Sequence, residues 1–330
     1  MRAFWKIVFV LAVVAVAGAT WAGLEGHRRF THPGPLAEAA NVVVAKGSGL
    51  EAIAHQLAEA RVVPDPYSFM VGTKLRRAAL KAGEYAFPAH VTPEEAMTMM
   101  AEGRTVVHKL TIAEGLTVRQ ALQEVAEADY LAGAITRKPA EGSLLPETWH
   151  LSRDDGRDEV VARMEKSMRL ALDQAWAGRA ADLPLKSKEE ALVLASIVER
   201  ETGLKAERPR VAAVFLNRLR LGMKLQSDPT VIYGVSEKLG VLDRPISRAD
   251  LDNPHPWNTY VHDGLPPTPI ANPGRASIEA VLHPAQSDAL YFVADGSGGH
   301  VFAKSLDEHN KNVAGWRKVE KSRRDASVKP

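Results

Sequence analysis

Residues 192–203 read LVLASIVERETG, an apolar run that closes on two glutamates and a glycine. At roughly 100° per residue, Leu194, Ile197 and Val198 share one helix face, and Glu201 projects into the middle of that arc. Glu199 falls about 160° away, beside Leu192, Ser196 and Arg200, on the side expected to meet solvent. A carboxyl group held against apolar packing is desolvated, which disfavours its charged form and raises its pKa. A carboxylic acid still protonated near neutral pH is what a general acid requires. Spacing alone equally allows a frayed helix end with Glu201 in water.

Long helical patterns flank this run at 157–178 and 211–222, the latter stopped by Gly222. A loop-rich region follows, with SDPTVIYG and NPHPWNTYVHDGLPPTPIANPG, then a short helix from Ser277 to Leu282. ALYFVADGSGGHVFA (289–303) alternates around glycines and predicts a hairpin. Upstream the character differs. NVVVAKGSGL (41–50) predicts a strand, followed by a helix with Leu50, Ile53 and Leu57 on one face. VTPEEAMTMM predicts a helix capped by Thr92, with Ala96, Met97 and Met100 as a core stripe. GLTVRQALQEV repeats the device with Thr117 as cap and Val118, Ala121, Leu122 and Val125 as stripe. The reading is therefore α+β: small strand–helix modules, a turn-and-loop at GSLLPETWHL (142–151), then a more helical region.

At 330 residues the chain is long enough for two domains. Its formal charge of +2 argues for no nucleic-acid surface. Cysteine is absent, which excludes disulfides, thiol nucleophiles and cysteine-based zinc sites. G-x-S-x-G, H-E-x-x-H, S-x-x-K and phosphate-loop motifs are missing too. The histidines are scattered; His300 and His309 stand out but read as structural, so no metal or cofactor is expected. A basic stretch at Arg323 and Arg324 reads as a solvated, disordered tail.

Ile7 to Leu24 carries no charge, follows Arg2 and Lys6, and has Trp5 and Trp21 near its ends. It reads as a transmembrane anchor with the N-terminus in the cytoplasm. The alternative is a cleaved signal peptide, with Ala17-Gly-Ala19 as the site. Downstream of the central helix, Gln226, Asp228, Tyr233, Asn258, Thr259 and Tyr260 lie in loop-prone stretches whose amides, hydroxyls and aromatic faces suit a sugar-binding cleft.

ASIVERETG, VFLNRLRLGMKLQSDPTVIYG, NTYVHDGLPPTPIANPG, HPAQSDALYFVADGSGGHVF and HNKN together resemble the MltG, or YceG-like, family of endolytic murein transglycosylases. The resemblance runs over nearly the whole chain. It implies an anchor within 1–30, a small LysM-like α/β module over 31–106, a catalytic transglycosylase domain over 107–325 and a tail at 326–330. It also implies cleavage of MurNAc–GlcNAc β-1,4 bonds inside peptidoglycan strands, leaving 1,6-anhydro-MurNAc ends and terminating strand growth. The catalytic group would be Glu201, in the Glu-Thr pair of VERET, with Glu199 as runner-up. Gln226, Tyr233, Asn258 and Tyr260 would bind substrate. Expected partners are glycan strands, penicillin-binding cell-wall synthases and the inner membrane, with the catalytic region in the periplasm. A non-catalytic peptidoglycan-binding scaffold for those synthases is the alternative.

Overall fold

The computed structural model describes residues 2–327. The chain forms two compact units. One takes the chain up to His108 together with His150–Asp155; the other takes Lys109–Trp149 and everything from Gly156 onward. The short return at 150–155 falls in the 107–325 stretch that the resemblance implies is the catalytic domain.

The first unit begins with α1 (Arg2–Thr31). Its segment Phe4–Thr31 contains an 18-residue window of mean hydropathy 2.4, none of it buried, and is long and apolar enough to cross a membrane. Strand β1 (Ala40–Val44) is followed by α2 (Leu50–Glu59) and α3 (Pro66–Arg76), then β2 (Gly83–Phe87) and α4 (Pro93–Glu102). The strands pair antiparallel, with Val42 opposite Tyr85 and Val44 opposite Gly83. Their inner face meets Ile53 and Leu57 of α2, Phe69 of α3, and Met97 and Met100 of α4 in one core. Thr92 caps α4 in a reciprocal box: its hydroxyl accepts from the Glu95 amide while the Glu95 carboxylate accepts from the Thr92 amide. Helix α3 starts the same way on Asp65, which accepts from the Ser68 amide at 2.8 Å, with Pro66 in the first turn.

Strands β3 (His108–Thr111) and β4 (Thr148–Leu151) form a two-stranded sheet. The second unit holds α5 (Val118–Glu127), capped by Thr117, and α6 (Arg157–Ala177). Then come α7 (Lys188–Glu201), a 3-10 turn at 205–207, α8 (Arg208–Arg220), α9 (Asp228–Val235) and α10 (Arg248–Asp252). Last are α11 (Arg275–Leu282), the antiparallel pair β5 (Tyr291–Ala294) and β6 (His300–Ala303), and α12 (Leu306–Ser327). Helix α7 is the axis of this unit: α6, α8, α9 and α11 all pack on it, and Ala191 and Val193 through Glu199 are all buried. Leu194, Ile197 and Val198 join Phe215, Leu216, Val281 and Leu282 in its core.

Arg323 and Arg324 lie within α12, which corrects the expectation of a disordered tail. From Trp316 to Ser327 the segment has no glycine or proline and is rich in Lys and Arg, good helix formers. Of the 326–330 tail, Ala326 and Ser327 are helical and the rest lies outside the described residues.

Candidate active site

The last turn of α7 delivers Glu201 to the start of α9. Ser227 occupies the N-cap position of α9, yet its hydroxyl makes no cap bond and donates instead to Glu201 Oε1. Ser227 cannot drift, because it is buried, its amide donates to Thr259 Oγ1 at 2.9 Å and its carbonyl accepts from Thr230 Oγ1 at 2.6 Å. Burial pushes the Glu201 carboxyl up to about 7; the neighbouring Asp228 charge adds to that rise, while the Ser227 hydrogen bond and the Arg218 cation oppose it. One carboxyl oxygen is thus held by a neutral donor, and the group stands poised near neutrality.

Asp228, Tyr260, Arg218 and Gln226 complete the cluster. Asp228 is exposed in the first turn of α9, where the helix dipole favours its charge. The Tyr260 hydroxyl donates to Asp228 Oδ1 at 2.6 Å, and burial together with that bond pushes the phenol well up. Arg218 is buried and ties the loop before α9 to the strand side of the unit. Its Nε donates to the Leu290 carbonyl at 2.7 Å, and its Nη1 donates to the carbonyls of Lys224 and Leu225 and to Gln226 Oε1. Gln226 is exposed and sits at φ 52°, a left-handed conformation uncommon for a non-glycine residue, held there by its amide's bond to the Thr259 carbonyl.

Glu199 is the principal correction. It does not meet solvent: its side chain is 3% exposed and lies against Arg208, itself 4% exposed. Arg208 Nη2 donates to Glu199 Oε1 at 2.7 Å and to Glu114 Oε2 at 3.0 Å, and the Gly274 amide donates to Glu199 Oε2 at 2.8 Å. Arg200 turns away from Glu199 and donates to the carbonyls of Gly115 and Gly240. The physical reason is that α7 is surrounded, so its two sides are both interior. Burial pushes the Glu199 carboxyl up, with the Gly274 amide and Arg208 pulling it back. Both of its oxygens are engaged by donors of the protein itself.

Two of the four expected sugar contacts are also committed inside the protein. Asn258 is fully buried; its amide nitrogen donates to the carbonyls of Asp250, Leu251 and Asn253, and its oxygen accepts from the Tyr260 amide at 2.9 Å. It braces the loop that carries Tyr260. Tyr233 is buried edge-on to Trp257, its hydroxyl donating to Glu141 Oε2 at 3.1 Å. Gln226 and Tyr260 remain at the Glu201 cluster. Thr259 is buried between Ser227 and Thr230.

Sequence reasoning missed Ser227, Arg218, Arg208 and Glu141. Ser227 did carry a signal, since Ser-Asp-Pro reads as a helix cap and the cap position is where it lies; what diverts its hydroxyl is the carboxyl opposite. His300 pairs with Glu207 at 2.8 Å and His309 stacks on Tyr291, both in structural roles. Among the described residues no group of three or more His, Asp or Glu is placed to hold a metal.

The YceG-like family model matches residues 42–315. An endolytic murein transglycosylase from Bacillus subtilis is 30% identical, the match covering 82% of this chain and 83% of the relative. One of the same description from Streptococcus pneumoniae is 28% identical over 83% of this chain, which spans only 57% of that longer protein. A crystal structure of a YceG-like protein from Listeria monocytogenes superposes with a TM-score of 0.51 at 29% identity, covering 83% of this chain and 99% of that one.

Proposed function

This chain belongs to the YceG-like family, and from that premise we propose that it is an endolytic lytic transglycosylase of peptidoglycan. The observation that carries the proposal is the Glu201 carboxyl, raised to about 7 and held by Ser227 beside an exposed polar rim. Hydrolysing glycosidases ordinarily need two carboxyl groups, one as acid and one as base or nucleophile. A transglycosylase that uses the sugar's own hydroxyl needs one.

In this mechanism Glu201 donates its proton to the bridging glycosidic oxygen as the C1–O bond of MurNAc breaks. The leaving GlcNAc departs as an alcohol, and the MurNAc acetamido group supports the positive charge at C1. Glu201, now a carboxylate, takes the proton from the C6 hydroxyl, whose oxygen closes onto C1. The product is a 1,6-anhydro-MurNAc end and the acid is regenerated. Ser227 steadies the carboxylate form between the two steps. In this reading Tyr260 and Gln226 meet sugar hydroxyls or acetamides.

The same reading makes α1 a single-pass inner-membrane anchor, the first unit a LysM-like wall-positioning module, and the second the periplasmic catalytic domain. Cutting nascent strands there would terminate their elongation beside penicillin-binding synthases. Digestion of purified sacculi with the protein tests the activity. Anhydro-muropeptides detected by mass, absent with Glu201→Gln, are the expected result. Binding to sacculi without any release would instead favour a scaffold for the synthases.

A further inference from the structure

Helix α3 has two apolar faces, and folding accounts for only one. Phe69, Gly72 and Thr73 turn inward. Tyr67, Val71 and Leu75, spaced four residues apart on another face, are 68%, 57% and 79% exposed. The helix packs on the last turns of α1, where Gly72 leaves room for the buried Phe30 ring. Between the two helices runs a groove of about 500 Å³, lined by Trp21 and Phe30 of α1 and by Tyr67, Val71 and Leu75.

The position of that groove along α1 sets what covers it. Ile7 to Leu24 rises about 27 Å at 1.5 Å per residue, close to a hydrocarbon thickness of about 30 Å. With α1 spanning a bilayer, Trp21 would sit where interfacial aromatics sit and Glu25 to Thr31 would fall in the headgroup layer. Helix α3 packs on α1 at that level, and Tyr67 lines the same groove as Trp21. Charge agrees with apolarity. Lys74, Arg76 and Arg77 are all exposed at the end of α3. Arg29 and Arg76 are each about half exposed, whereas their partners Asp65 and Glu94 are more covered. An exposed apolar stripe ending in cations fits the boundary between acyl chains and anionic headgroups.

We propose that the Tyr67–Val71–Leu75 face of α3 is a second membrane contact, lying in the anionic lipid interface where α1 emerges. It rests on the reading of α1 as a membrane-spanning helix. It would pin the first unit to the bilayer surface instead of leaving it to swing on a single tether.

The chain's lack of cysteine makes the test direct. Val71→Cys, Leu75→Cys and Val14→Cys, each in the full chain, carry an environment-sensitive fluorophore in phosphatidylglycerol-containing vesicles with lipid-borne quenchers. The expected result is that the labels at 71 and 75 emit to the blue and lose most of their intensity to the quenchers, as the label at 14 does. Quenching at 14 alone would overturn the α3 contact and leave the anchor standing. Quenching at none of the three would remove the anchor reading together with it. If 71 and 75 stay unquenched in vesicles but are shielded from a water-soluble thiol reagent in native membranes, a protein covers the stripe, and the lipid proposal fails.

Discussion

Replacing either glutamate of α7 by glutamine should change stability in opposite directions: burial raises both carboxyls, but only the loss of Glu199 leaves a buried cation behind. Glu201 titrates at 4.5 in an ordinary setting and at about 7 in the fold. Below pH 4.5 both states are protonated and folding costs nothing on its account. As pH climbs toward 7 the unfolded chain releases the proton while the folded one keeps it, so stability declines across that window and stays lowered above it. At about 1.4 kcal/mol per pH unit the full effect is roughly 3 kcal/mol. Glutamine keeps the shape and can still accept from Ser227, but it never titrates. Glu201→Gln should therefore gain on the native protein by up to about 3 kcal/mol between pH 5 and pH 8. Glu199→Gln should do the reverse, because Arg208 would be left buried with only Glu114, itself 34% exposed, as a counter-charge. Breaking a buried pair costs about 3–5 kcal/mol, and the remaining Glu114 places this one at about 3. Denaturant titrations of the full chain in detergent, at pH 5 and pH 8, read both differences. Equal destabilisation by the two substitutions, or a Glu201→Gln difference that does not change with pH, would refute the assignment of a buried proton to Glu201.

The remaining expectations concern activity and processing. Glu201→Gln should lower release of anhydro-muropeptides by at least about 10²- to 10⁴-fold, the usual contribution of general acid–base catalysis, while staying folded. Ser227→Ala removes a donor that favours the carboxylate. A hydrogen bond to a charged group is worth about 1.5–3 kcal/mol, so the alkaline limb of the kcat/KM profile should move up by roughly one to two pH units. Ser227→Thr should restore it, and a limb that stays put would deny Ser227 its hold on Glu201. Tyr260→Phe should raise KM more than it lowers kcat in assays on defined glycan strands. Sequencing the N-terminus of the mature protein should find Ile7 to Leu24 retained; a start near Thr20 would mean that a peptidase removes the helix.

Legibility followed the physics of each signal. The caps at Thr92 and Thr117 and the stripes of α4 and α5 were plain, because a half-buried helix alternates between water and core and writes that period into its sequence. The α6 span was readable to within a few residues for the same reason, and the α7 and α8 spans from their long apolar runs. Helix α3 was not, because its outward face is as apolar as its inward one and the period vanishes. Helix α9 was hidden among prolines, since Pro229 reads as a turn until it proves to be first-turn proline. Asn258 and Tyr233 were expected at a sugar because amides and phenols that brace loops look in sequence like amides and phenols that bind sugars. Only the fold shows their atoms already spoken for.

The two glutamates of α7 show where periodicity stops informing. An apolar arc identifies the inward side of a helix only if another side is wet, and α7 has no wet side from Val193 to Glu199. Glu201 does project inward, but Glu199 does as well. What separates them is the company each carboxyl keeps. Glu199 has a donor on each oxygen, one of them a buried guanidinium. Glu201 receives a single neutral hydroxyl and faces another carboxylate at Asp228, surroundings that favour keeping a proton. Helix α7 ends one residue later, at Thr202, so the proton-bearing group lies where the core opens to the exposed side chains of Gln226 and Asp228. A buried helix that ends on an acid, against a second helix that starts on a serine, thus places two carboxyl groups of one sequence run in different company. Glu199 locks Arg208 and the Gly274 backbone around the axis, and the proposed function gives Glu201 the proton transfer.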